Sequence, residues 1–197
     1  MLITLEGVDG SGKSTQAALL AEALGPETVL LREPGGTDAA EAIRAILADP
    51  DLPLDPMAEM LLFLGARADL VSRIVRPSLE DGRDVVLDRF IDSTEAYQGV
   101  ARGLGADLVR SLNGEVTGGI VPDLTVLIEV DPEVALGRAV DGGRFEAEGL
   151  AFQEAVAAAY REIATREGGR FEMVDGSLPT AEVHEAVMAA VRSRQPE

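Results

Sequence analysis

Residues 7–15 read GVDGSGKST, and Lys13 within that stretch is the only lysine in the chain; the other sixteen basic side chains are arginine. From Gly7 to Ser14 the residues fit the spacing G-x-x-x-x-G-K-[S/T], and each residue type has a use there. Glycines permit backbone angles at which successive N–H groups, from Gly7, Val8, Asp9, Gly10, Ser11 and Gly12 through Lys13, Ser14 and Thr15, curl around an anion. A helix starting at Lys13 adds the positive end of its dipole. Lys13 supplies a compact ammonium on a flexible stem, able to follow a phosphoryl group in transit, where a guanidinium is planar and rigid. Ser14 offers a hydroxyl to Mg2+. A GC-rich genome would explain the general preference for arginine, but not why the one surviving lysine stands here. The stretch predicts a nucleoside triphosphate site.

The flanking elements must present this loop, and they are legible. LITLE (2–6) reads as a buried strand, and AALLAEAL carries helical spacing from Lys13 to Leu24 before Gly25-Pro26 stops it. TVLLRE (28–33) is a second strand; Thr37 can cap a helix through about Ala48; DPDLPLDP (49–56) is a proline-rich loop. MAEMLLFLGARADLVSRIVRPSL is a long helical pattern expected to kink or break at Pro77. DVVLDRF (84–90), LTVLIEV (124–130) and RFEMVD (170–175) complete five apolar strands, alternating with helices at about 91–116, 150–166 and from Thr180 onward. Apolar strands alternating with helices predict a doubly wound α/β fold: a parallel five-stranded sheet covered on both faces, in one domain spanning 1–197.

Composition removes several classes. The formal net charge of −18 excludes the basic stripe of a nucleic-acid-binding surface and disfavours anionic membranes. No cysteine means no disulfide or thiolate metal site. MLITLEG has no basic leader character and no apolar run approaches ~20 residues, so a cytoplasmic protein is expected. A guanine-reading N-K-x-D would need a second lysine, which removes the GTPase switches. A small kinase acting on a small acceptor remains.

Further residues point the same way. Asp88 and Arg89 end a buried strand, where doubly wound sheets bind ligands; Arg89 is suited to an acceptor phosphate and Asp88 to Mg2+ through water, a structural ion pair being the alternative for both. Phe63 and Arg67 stand four apart and share a helix face, so a ring could stack on a base while a guanidinium donates to its carbonyl. None of Val8, Asp9, Gly10 and Ser11 is basic, so the transferring phosphoryl group needs a cation from outside the loop. Arg144 is the first candidate for it and Arg138 the second. His184, in the last helix, is expected at a boundary and not as a base.

Arg32-Glu33-Pro34-Gly35-Gly36-Thr37, LLFLGAR (61–67), Asp88-Arg89-Phe90-Ile91-Asp92-Ser93-Thr94, Tyr97-Gln98-Gly99 and Arg144-Phe145-Glu146, with GVDGSGKST, together resemble thymidylate kinases of the bacterial type. The resemblance runs in order from Met1 to about Tyr160. It implies phosphoryl transfer from MgATP to dTMP, with Phe63 stacked on thymine, Arg67 at its O4, and Gln98 reading the pyrimidine edge. It further implies Tyr97 beneath the sugar, Asp9 near the 3′-hydroxyl and metal-bound water, Arg32 helping with the acceptor phosphate, and Ser93 and Thr94 in support. It implies a lid at about 138–149 and a homodimer, to which MAEMLLFLGARADLV could contribute. Asp141-Gly142-Gly143-Arg144 departs from the family's longer, more basic lid, which bears on lid closure and not on the reaction. Asp175-Gly176-Ser177 could touch adenine through its backbone. Two other readings stay open on sequence alone: a kinase for another nucleoside monophosphate, and a catalytically silent ATP-binding module.

Overall fold

The structure is a computed structural model that describes residues 1–138 and 145–194. Five strands, β1 (Leu2–Glu6), β2 (Val29–Arg32), β3 (Val85–Asp88), β4 (Leu124–Glu129) and β5 (Phe171–Asp175), form one parallel sheet in the order β2-β3-β1-β4-β5. Parallel pairing obliges every connection to cross over, and the crossovers carry helices to both faces. The expected fold is the observed one.

The pleat divides the core. Ile3 and Leu5 of β1, with Val86, Val126 and Ile128, face α1 (Lys13–Leu24) and the C-terminal helix Thr180–Arg192. Leu2, Val85 and Leu87 face the opposite way, against Leu70, Val71 and Val75 of the helical run that begins at Pro56. Thr4 shares that second face, its hydroxyl 2.9 Å from that of Thr125, and by the same alternation so does Glu6, at the mouth of the phosphate loop.

Local chemistry sets the element ends. α1 starts on Gly12, held left-handed at φ 92°, and stops at Gly25, whose N–H returns to Ala21. Thr37 caps α2 (Asp38–Ala48) by accepting from the Ala40 N–H at 3.1 Å. Asp55 does the same for α3 (Pro56–Leu70), where Pro56 at the first turn forfeits no bond.

Of the kink or break expected at Pro77, the break does not occur. The chain stays helical through a wide π-type turn at Val71–Val75 and on into α4 (Arg76–Glu80). The widened register absorbs the N–H that proline lacks, so the helix continues. A second wide turn, Glu95–Ala101, extends α5 (Ile91–Thr94) and carries Tyr97 and Gln98. Then follow α6 (Ala106–Thr117), α7 (Pro132–Arg138), α8 (Leu150–Arg166) and α9 (Thr180–Arg192). Among the described residues no helix is long and apolar enough to cross a membrane.

Candidate active site

β1 and β3 are neighbours whose outgoing connections run to opposite sides of the sheet. That switch point is where such sheets open a crevice at their carboxyl ends. The phosphate loop leaves β1 there. Two of its glycines are sterically required: a Cβ at Gly10 would lie 2.1 Å from the Ala135 carbonyl oxygen, and one at Gly7 2.6 Å from that of Ile128. Both also have positive φ. Lys13 lies back across the loop, its Nζ donating to the Val8 carbonyl at 3.1 Å and standing 3.7 Å from Asp9. Burial, then the charge of Arg89, lowers its pKa. Ser14 donates to Asp88 Oδ2 at 2.5 Å, while Asp88 Oδ1 is buried with no partner among the described residues.

Arg89 is the hub. It is the described non-glycine residue with positive φ, 73°, a conformation that costs an arginine and persists only where its surroundings impose it. They do so at both peptides: Arg89 N–H donates to the Leu5 carbonyl at 3.1 Å, and the next N–H, from Phe90, donates to Glu6 Oε1 at 2.8 Å. The guanidinium is thereby turned over the loop. It donates to the Gly7 carbonyl, to Ser93 Oγ at 3.0 Å, and to Asp9, and its carbon lies 5.0 Å from the Tyr97 ring centre. Tyr97 in turn donates to Asp9 Oδ2 at 3.0 Å. Burial alone would raise the Asp9 carboxyl, but the charges of Arg89 and Lys13 outweigh it and hold it at about 2. Glu6 behaves oppositely: burial, then the charge of Asp92, lifts it from 4.5 to about 7 against the hydrogen bonds of Ser93 and Tyr160.

Two cavities meet this hub and loop. One, of about 240 Å³, is bordered by Asp9, Arg89, Phe63, Tyr97, Gln98, Thr94 and Arg67. Phe63 and Phe145 stand 6.0 Å apart, and Tyr97 meets Phe145 edge-on at 5.6 Å, giving an aromatic wall fit for a flat ring. The other, of about 320 Å³, lies along Gly10, Ser11, Gly12 and Thr15 and is bordered by Arg138 and Gly176. Arg138 donates to the Gly176 carbonyl at 3.1 Å.

The thymidylate kinase family model matches residues 5–187. The chain belongs to the thymidylate kinase family. A thymidylate kinase of Pelodictyon phaeoclathratiforme is 43% identical, with 100% of this chain and 97% of that protein covered. One of Deinococcus radiodurans is 41% identical, with 98% and 97% covered. The crystal structure of the thymidylate kinase from Ehrlichia chaffeensis superposes with a TM-score of 0.83 at 35% identity, covering 98% of each chain.

Most residues expected of a thymidylate kinase converge. Asp9, Phe63, Arg67, Arg89, Ser93, Thr94, Tyr97 and Gln98 share the first cavity, and Arg138 borders the second. Ser93 Oγ accepts from Arg89 at 3.0 Å, and Thr94 Oγ1 accepts from Arg67 at 2.8 Å. Arg32 does not join them. Its side chain is 54% exposed and paired with Glu41 at 3.2 Å, and the arginine bordering the cavity on that side is Arg44. Arg67 reaches the wall but has no idle N–H: its five donors go to Glu33 (2.5 and 2.8 Å), Thr94, Asn113 and the Phe90 carbonyl. Any contact with a base carbonyl must share one of them. Arg144 lies outside the described residues, with the rest of 139–144 in the expected lid.

Sequence reasoning passed over Glu6, Glu33, Arg44 and Glu59. Signals existed for three. Glu6 is an acid ending an apolar strand; Arg44 stands at i+4 from Ala40 on the buried stripe of α2; Glu59, Phe63 and Arg67 repeat every four residues on α3. Glu33 carried no such mark.

Proposed function

We infer that the chain transfers the γ-phosphoryl group of ATP to dTMP, giving ADP and dTDP, as a single kinase domain with Mg2+. What carries the reading is Arg89: one guanidinium borders the aromatic cavity and donates into the phosphate loop. An acceptor whose base lies against Phe63 thus has its phosphate brought to the loop that holds the donor.

In this reading thymine stacks on Phe63, Gln98 faces its N3 edge, and the Tyr97 ring lies beneath the sugar, crowding a 2′-hydroxyl. Arg89 orients the acceptor phosphate. The loop N–H groups and Lys13 hold the triphosphate, with Arg138 and the Gly176 backbone beside adenine. A bond forms from a dTMP phosphate oxygen to the γ-phosphorus as the bond to the β-phosphate oxygen breaks. The attacking oxygen is already ionised at pH 7, so positioning and charge neutralisation matter more than a base. Ser14 and Asp88, with one carboxylate oxygen spare, fit Mg2+, which favours few protein ligands plus phosphates and water; among the described residues no cluster of three or more His, Cys, Asp or Glu could hold a metal. When bound, Mg2+ supplies charge neutralisation at the phosphates. Arg144 completes it from the lid.

ATP and a nucleoside monophosphate as substrates go with a cytoplasmic enzyme, and Leu61 and Met57, exposed on α3, go with a homodimer. ADP release measured with ATP and each nucleoside monophosphate in turn tests the activity. Turnover should be greatest with dTMP; a preference for another monophosphate, or no turnover with any, would sink the reading.

A further inference from the structure

Gln98 is an amide placed to read a base, and an amide has two faces. Its carboxamide can turn over about the last torsion and present either an acceptor or a donor. Alone it would tolerate thymine, whose N3 carries a hydrogen, and cytosine, whose N3 carries a lone pair. Arg67 gives little further discrimination, because each of its five N–H groups is already engaged by a protein acceptor.

The structure removes the ambiguity from behind. Gln98 Nε2 donates to Glu59 Oε1 at 2.9 Å, and both side chains are buried. A carboxylate only accepts, so the reversed amide would set two lone-pair-bearing oxygens against each other. Arg102 pairs with the same carboxylate: its Nε lies 3.2 Å from Oε1 and its Nη2 3.2 Å from Oε2. Gln98 Oε1 has no partner among the described residues and is not sealed in the interior, and Gln98 borders the Phe63 cavity. Resting on the reading of that cavity as the thymine site, we propose that Glu59 is the positioning residue for base selection. It fixes the Gln98 amide with Nε2 inward and Oε1 toward the base. The site then welcomes an N3–H and opposes an N3 lone pair, whose burial against an oxygen leaves both acceptors unsatisfied.

Glu59 touches no substrate in this scheme; it acts through Gln98. Glu59→Gln keeps the shape but offers either an amide N–H or a carbonyl, so the Gln98 amide is free to turn. Measured on the full chain, the ratio of kcat/KM for dTMP to that for dCMP should fall about tenfold or more, carried by the two acceptor KM values. The KM for ATP should stay within about twofold, which a general loss of structure would not allow. Should Glu59→Gln be too unstable to purify, Glu59→Asp keeps the charge facing Arg102 while withdrawing the carboxylate from Gln98, and must lower the ratio in the same direction.

Gln98→Ala separates the two levels of the argument. It should lower the ratio, and adding Glu59→Gln to it should change the ratio no further, because the group through which Glu59 acts is gone. If Gln98→Ala lowers the ratio and the Glu59 variants do not, the role of Glu59 is overturned while the base site stands. If Gln98→Ala leaves the ratio unchanged, Gln98 does not read the base, and the reading of that cavity wall fails with the proposal.

Discussion

Arg89 shows how much of a functional residue lies outside its own side chain. Its type and its place at the end of an apolar strand were legible in the sequence. Its left-handed backbone was not, because that is imposed from β1, by the Leu5 carbonyl and Glu6, more than eighty residues earlier. Glu6 accepts from Phe90, Ser93 and Tyr160, so its carboxyl holds the turn that aims Arg89. Burial raises its pKa from 4.5 to about 7. Between those values the folded chain holds a proton that the unfolded chain has released, so the Glu6 contribution to stability is full below about pH 4.5 and lost as pH rises through 7. Glu6→Gln should remove that slope, on the order of 3 kcal/mol across the window. It should also lower kcat, because an amide nitrogen cannot accept where a carboxyl oxygen accepts from Phe90, or from Ser93 and Tyr160. Urea unfolding of both proteins at several pH values reads the difference, and parallel curves would mean that Glu6 titrates as an exposed acid does. Lys13 makes a simpler case. Lys13→Ala should cost on the order of 10²-fold or more in kcat. As the only side-chain amine in the chain, Lys13 should also be the side chain an amine-directed reagent modifies, and MgATP should shield it; near-normal turnover in the alanine variant would remove it from the mechanism.

At the scale of elements, strands and caps were legible because local chemistry decides them. LITLE is β1 residue for residue, and Thr37 and Gly25 bound their helices as expected. The wide turns were not legible. Pro77 predicts a kink or a break; a π-type turn one step earlier keeps the helix whole, and packing of Leu70, Val71 and Val75 against β3 holds it there. Burial likewise hid Glu59: an acid on a helix reads as solvated until its stripe-mates Phe63 and Arg67 are seen to face inward. The connection between α7 and α8 is where the sequence places the remaining cation. Arg144→Ala should lower kcat substantially with little change in the KM for dTMP, the mark of a contact made in the transition state. Arg144→Lys should restore only part of the rate, since it keeps the charge but loses the forked donors. Steady-state kinetics on both variants decide it, and an unchanged kcat in the alanine form would move the catalytic cation elsewhere, with Arg138 next in line.

For the molecule as a whole, the formal charge of −18 sets a background against which the local pairs work. Uncompensated acids spread over a chain of this size repel one another in the folded state and separate on unfolding, so they destabilise the compact form. The charges that build the site are arranged differently. Arg67 with Glu33 and Arg89 with Asp9 are buried or nearly so, where mobile ions screen them far less than they screen surface charge. Exposed pairs such as Arg32 with Glu41 are screened, but each contributes little. Raising NaCl from about 10 mM, where the Debye length is ~30 Å, to about 0.5 M should therefore relieve the repulsion while sparing the pairs that hold Arg89 and Arg67. The thermal midpoint of the free protein should rise with salt. The KM for both anionic substrates should move little once Mg2+ is saturating, because they meet cations inside the crevice and not across an acidic surface. Calorimetric scans over that range of salt test the first half. A midpoint that falls would mean that exposed ion pairs, and not the buried ones, hold the fold together.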